Sequence, residues 1–307
     1  MVANTITSTA VQEVPFRKGA SRSFWSRARY SLKRSPLSAC ALGFLVLLVF
    51  AAITAPVISP CDPLVQDLMN GREAPNWWPD SSGTGGFLGT DALGRDVLSR
   101  IIHGSRISLL VGVSAVLASC VVGVTLGAIA GFYGGWIDNV IMRIGDVLLS
   151  LPYLMLAIAI IAVLGPSLLN LILVLSVSNW IVYARLVRGE VLSVKRQEYI
   201  EAARAIGVVD SSLLLKHIMP NAFSPVLVIS SFSMAQMILA EASLSFLGLG
   251  VQPPTPTWGG MLSEAREYFQ LAPWITIFPG LAIMFTVLAV NTVGDWLRDV
   301  LDPRLQS

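Results

Sequence analysis

The chain has 307 residues, 54% of them hydrophobic and only 13% charged, with a formal net charge of +2. Its mean hydropathy of +0.69 lies well outside the range of ordinary globular domains and makes it an integral membrane protein. Uncharged runs of this length do not alternate in polarity, which excludes β-barrel strands; each run instead suits a helix of roughly 20 apolar residues crossing a hydrocarbon core about 30 Å thick.

Residues 1–34 form a polar arm in which Arg17, Lys18, Arg22, Arg27, Arg29, Lys33 and Arg34 outweigh the single acid Glu13. Beside a membrane span, the positive-inside rule explains this charge better than nucleic-acid binding does, and it places the arm in the cytoplasm. The arm is rich in Ser and Arg with little periodicity, which predicts mobility. Six spans come after it, at about 37–58, 107–132, 144–164, 167–186, 222–247 and 272–297. Counting from a cytoplasmic N-terminus puts 59–106 and 250–271 outside and 187–220 and 298–307 inside. Arg185, Arg188, Lys195, Arg196, Arg204 and Lys216 at or in the inner loop agree with that assignment. Cys40, Cys61 and Cys120 make no disulfide framework. Leu37-Ser38-Ala39-Cys40 mimics a lipoprotein box, but it begins an apolar segment rather than ending one, so the first span reads as an uncleaved signal anchor.

Outside, Pro60, Pro63, Pro75, Pro79 and the run 81–86 prevent a long helix. Thr90 or Asp91 is placed to cap a short helix leading into the second span, and Asp91 and Asp96 to pair with Arg95 or Arg100. The second span carries Ala115, Ser119, Gly123, Gly127 and Gly131 at four-residue intervals. Residues four apart share a face, so this is a groove of small side chains suited to the close approach of another helix, in this chain or a different one. In the third span Pro152 predicts a kink, and Arg143 and Asp146 stand one turn apart as a possible ion pair. The fifth is the most polar: Ser230, Ser233, Gln236 and Glu241 suit either the lining of a pathway or hydrogen bonding between helices. Glu241 is expected near the outer end, where ionisation is cheap, which argues against a proton relay. Asn291, in the sixth span, reads as a packing hydrogen bond.

The inner loop is the most organised polar segment. Residues 195–206 are rich in helix formers, Gly207 falls where a left-handed C-cap is wanted, Asp210 is placed to cap a second short helix at 211–218, and Pro220 begins the next element. Ala202, Ala203 and Ala205 leave a thin surface that a neighbouring protein can approach closely, while Glu201 offers a carboxylate to a basic partner. An amphipathic membrane-surface helix is the competing reading, and the Gly and Pro spacing disfavours it. No phosphate-cradling loop occurs. His103 and His217 fall on opposite sides of the membrane and cannot share a metal.

The pattern from Glu201 to Pro220 resembles the EAA loop of the membrane subunits of ATP-binding cassette importers, with His217 and Met219 at positions that are usually Ile and Leu. The segments 87–96, 130–135, 245–250, 252–259 and 299–304 look similar to motifs of the second permease in the dipeptide, oligopeptide and nickel importer family. This resemblance implies an all-α integral membrane protein of six transmembrane helices with the type I importer permease fold, its permease domain at 35–297. It implies that Glu201, Ala202, Ala203, Gly207, His217 and Pro220 couple to ATPase subunits. The implied partners are a homologous second permease, two ATPases that bind ATP and Mg so that this chain needs no cofactor, a periplasmic or lipid-anchored binding protein, and membrane lipid, but no nucleic acid. The same resemblance implies a bacterial cytoplasmic-membrane location with both termini inside and a di- or oligopeptide cargo. Nickel chelates, glutathione, opines and antimicrobial peptides are the alternative cargoes. A stand-alone secondary transporter would carry an inverted repeat and functional charges within its spans, and a membrane enzyme would carry converging acids, bases or metal ligands; neither is visible.

Overall fold

The computed structural model describes residues 24–79 and 81–301. Most of the basic arm, the end of the tail and the Asp302-Pro303-Arg304 motif lie outside the described residues. Within the arm, Phe24–Arg34 is a helix, α1, rather than the aperiodic segment expected. Its last turn carries Lys33 and Arg34, where the helix dipole favours cations. The Arg34 guanidinium also lies over the Tyr30 ring at 5.5 Å.

The first span, α2 (Pro36–Ile58), has Pro in its first turn, where the missing N–H costs nothing. The second, α3 (Val97–Tyr133), starts ten residues before the apolar run. Its 37 residues give a rod of about 55 Å, far longer than a ~30 Å hydrocarbon core. The expected third span is two helices, α4 (Gly135–Ser150) and α5 (Tyr153–Leu164), which meet at 93°. Pro152 does more than kink this span, because a residue preceding Pro avoids the helical region, and Leu151 is extended at φ −93°, ψ 134°. After α6 (Leu168–Val194) come the short α7 (Glu198–Ala205) and α8 (Asp210–Ser212), a π-helical turn Leu213–Ile218, and α9 (Met219–Phe246). A short α10 (Trp258–Ala265) precedes α11 (Trp274–Leu301). Among the described residues five helices are long and apolar enough to cross a membrane, or six if α4 and α5 count as one span. The only extended pairing there is the isolated bridge between Thr90 and Asp96.

The bundle is built on α3 against α6. Ala115, Ser119, Gly123, Gly127 and Gly131 are all buried, and the stripe they form lies on α6 of the same chain. A Cβ on Gly123 would stand 2.3 Å from the Trp180 carbonyl, one on Gly127 2.4 Å from that of Ala184, and one on Gly131 2.8 Å from the Val191 Cβ. The Ser119 hydroxyl donates to the Ala115 carbonyl at 2.7 Å and approaches that of Ser176 on α6 at 3.3 Å. Below this stripe Val111, Leu171, Val174, Leu175, Ala157 and Ile161 form the main apolar core.

Helix α4 also lies along α6. Gly145 abuts Ile181 so closely that a Cβ would be 2.0 Å from its Cδ1. This approach brings Asp146 to Arg185 at 2.6 Å and Asp138 to Nε and one terminal nitrogen of Arg188 at 2.5 and 2.6 Å. Asp146 therefore pairs across to α6 rather than with its neighbour Arg143.

Candidate coupling surface and its supports

The inner loop is an exposed crown on a buried base. Ile200 from α7 and Leu213 and Ile218 from the π turn are nearly or wholly buried against Phe132, Val187, Val191 and Ala222. The Lys195 ammonium donates to the Phe132 carbonyl at 2.6 Å, satisfying an acceptor left open in the last turn of α3. It also sits 5.4 Å from the Phe132 ring centroid. The loop is thereby tied to the inner ends of both α3 and α6.

Helix α7 stops in a left-handed cap. Gly207 has φ +84°, its N–H reaches the Arg204 carbonyl at 3.0 Å, and the Val208 N–H reaches that of Ala203 at 3.1 Å, the paired bonds of a Schellman motif. Asp210 does not cap the next helical turn. Val209 occupies the N-cap and Asp210 the first turn, where a carboxylate still favours the helix dipole. Nor is there a separate second helix at 211–218 with Pro220 beginning another. Residues Asp210–Phe246 form one continuous rod in which Pro220 lies in the first turn of α9. Pro220 has no N–H to donate, and the ladder there widens to a π turn in which the Met219 N–H reaches back to Leu214.

On the outer face of this crown Glu201, Ala202, Arg204, Ala205 and Gly207 are exposed, and Ala203 is half-buried. Between them stand Tyr199, Ile206, Val209 and Leu215, from 49% to 83% exposed. His217 is half-buried with Nδ1 3.3 Å from the Ser212 carbonyl, and Pro220 is exposed. A cluster of large exposed apolar side chains next to a carboxylate and two small alanines is a surface suited to being covered.

The polar residues of α9 divide. Ser230 is half-buried and donates to the Val226 carbonyl at 2.7 Å, Ser233 is buried, and Gln236 is exposed. Glu241 lies near the end of α9 expected of it, but it is completely buried rather than at an open surface. Ser108 of α3 donates to its Oε2 at 3.0 Å and Ser245 to its Oε1 at 2.8 Å. In this chain Glu241 thus ties α9 to α3.

The outer segment holds an ion cluster that the sequence disclosed only in part. Asp91 Oδ2 accepts from Arg95 Nε at 2.6 Å and from an Arg100 terminal nitrogen at 2.5 Å, and Glu264 of α10 accepts from the same two guanidiniums at 2.5 and 2.8 Å. Asp96 is not part of it; it caps α3 instead, accepting the Ser99 N–H at 2.7 Å, so the helix cap is neither Thr90 nor Asp91. Thr90 receives the Glu73 N–H at 2.8 Å and donates to the Asn70 carbonyl at 2.6 Å. Gly94, at φ +75°, has no room for a Cβ, which would lie 1.8 Å from the Asp67 carbonyl. Trp274 and Trp258 then bind the carbonyls of Thr90 and Ile101 at 3.2 and 3.0 Å. The segment 87–96 is a knot that fastens the start of α3 to α10 and α11.

The described residues form a bundle of membrane-length helices with one elaborated loop between the fourth and fifth spans. A chain of a solved MetNI methionine ABC transporter, described as inward facing, shares this fold with a TM-score of 0.54, covering 66% of this chain and 96% of that one at 16% identity. The chain belongs to the family of binding-protein-dependent transport system inner membrane components, whose model matches residues 123–307. The model of the N-terminal transmembrane domain of oligopeptide transport permease C matches residues 23–75. The dipeptide transport system permease protein DppC of Alkalihalophilus pseudofirmus is 41% identical over 286 residues, covering 92% of this chain and 91% of the relative. The glutathione transport system permease protein GsiD of Pectobacterium atrosepticum is 43% identical over 290 residues, covering 93% and 92%. The di/tripeptide permease DppC of Pseudomonas aeruginosa is 44% identical over 264 residues, covering 86% and 87%.

Proposed function

We propose that this chain is one of two permease subunits of an ATP-driven importer that carries di- or oligopeptides across the bacterial cytoplasmic membrane. The apolar, alanine-flanked crown on α7 carries the reading, because a surface of that kind on a firmly anchored loop suits a partner that pushes on it. Two ATPase subunits cover it, Glu201, Ala202, Ala203, Gly207, His217 and Pro220 lie at or beside the contact, and ATP and Mg are bound in those partners. A homologous permease completes the pathway, with Ser230, Ser233, Gln236 and Glu241 of α9 the residues this reading assigns nearest to it. A binding protein delivers cargo to the face formed by 59–106 and 250–271, and both termini are cytoplasmic. The names of the relatives support a short peptide, glutathione included, as cargo.

In the mechanism, closure of the ATPases moves α7. Ile200 and Lys195 pass that displacement to α3 and α6, which the small-residue stripe holds together, and access to the pathway switches because the ATPases contact its two arrangements differently. The experiment is ATP hydrolysis by the reconstituted complex with its binding protein and peptide. Glu201→Lys and Gly207→Val are expected to abolish peptide-stimulated hydrolysis while the chain still inserts, and wild-type stimulation in both variants would sink the proposal.

A further inference from the structure

Between α2, α3, α9 and α11 a groove of 850 Å³ runs along α3 from His103 to Ser114, walled by apolar side chains that include Val49, Ile53, Leu110 and Val113. Those two positions are eleven residues apart, which is about 16 Å of helix. The part below Arg106, eight residues or about 12 Å, spans most of the roughly 15 Å depth of one leaflet's acyl chains. His103 also lines a second, more polar cavity of 480 Å³, formed with Ser59, Cys61 and Asp62 just beyond the end of α2. The two spaces share one side chain and together have the shape of an amphiphile, an apolar slot beneath a polar chamber.

Charge selects the occupant. Arg106 lines the groove, is exposed, and has no carboxylate partner among the described residues. Arg106 stands one residue before the apolar run of α3, where a basic side chain at a membrane surface attracts anions, and its planar fork fits phosphate oxygens. An apolar helix of a second permease, the other conceivable cover, offers Arg106 nothing.

We propose that this groove binds one glycerophospholipid from the leaflet on the side of residues 59–96. An acyl chain lies between α2 and α3, the phosphate sits on Arg106, and the headgroup enters the chamber beside His103 and Asp62.

The test is lipid analysis by native mass spectrometry on the complete complex, purified with its partner subunits in mild detergent. Wild type should retain about one phospholipid per copy of this chain. Arg106→Ala should lower the retained amount about fivefold, the equivalent of ~1 kcal/mol for one basic side chain at a membrane surface. Arg106→Lys should keep most of it, and Leu110→Trp, which fills the slot without touching the charge, should displace it. Re-addition of phosphatidylethanolamine or phosphatidylglycerol to delipidated complex should restore the bound lipid in wild type but not in Arg106→Ala. Equal retention in wild type and Arg106→Ala overturns the proposal, as does failure of both lipids to rebind. Crosslinking of Val113→Cys to the partner permease would also overturn it. Size-exclusion profiles matching wild type exclude misfolding as the cause of any loss.

Discussion

Arg100 shows how unequal the members of one ion cluster are. Its guanidinium and the Asp91 carboxylate are each 3% exposed, whereas Glu264 is 34% exposed. Removing one partner of a buried pair costs about 3–5 kcal/mol when the other charge is left alone; Asp91 keeps Arg95, so the loss here falls below that, while an exposed pair contributes at most about 1 kcal/mol. Arg100→Met is therefore expected to lower the thermal unfolding temperature of the purified complex sharply and Glu264→Gln only slightly; equal effects would mean that the cluster is hydrated. Gly207 is a different case, since nothing lies within 4 Å of a Cβ there and the demand is on φ alone. A β-branched residue at φ +84° costs about 1–2 kcal/mol, enough to shift the turn and re-aim Ile206 and Val209 without unfolding the bundle. The coupling defect of Gly207→Val should therefore appear with an unfolding temperature close to wild type.

At the scale of elements, the stripe on α3 makes a matched comparison possible. Gly127 meets the Ala184 backbone, while Gly189 on α6 has open space at its Cβ position. Alanine at 189 should raise stability by up to ~1 kcal/mol through helix propensity, and alanine at 127 should lower it by about 1–3 kcal/mol through overpacking, with leucine worse. The measurement is recovery of assembled complex after detergent extraction, and unchanged recovery for Gly127→Leu would remove the stripe from the packing argument. The π turn before α9 joins the loop to a continuous rod, Asp210–Phe246, that also holds Glu241.

For the whole molecule, orientation is the property most simply tested. Cys61 is exposed just past the end of α2, on the face assigned to the outside. A membrane-impermeant maleimide should label it in intact spheroplasts, and Cys61→Ser should abolish that labelling. Labelling of Cys61 only after lysis would invert the assignment of both termini and of the α7 crown.

The spans were legible because a lipid core demands runs of about 20 apolar residues whatever the fold. Gly123, Gly127 and Gly131 were legible because four-residue spacing places side chains on one face, and Gly207 because a left-handed turn has few other occupants. What local pattern does not encode was decided by the tertiary structure. The 93° turn at Pro152 looked like a kink, since two half-spans at a right angle have the same apolar content as one straight span. Glu264 could not be assigned to Arg95, 169 residues away, because its side chain resembles any surface glutamate. Glu241 could be placed near the end of its span, but not inside the bundle, where Ser108 of α3 closes over it. The sequence by itself determined a helical membrane protein with one exposed polar loop, since hydropathy and turn chemistry are local. Which helix fills the small-residue groove, which charges are buried together and what anchors the loop were decided only by packing, where residues distant in the chain share one dry space.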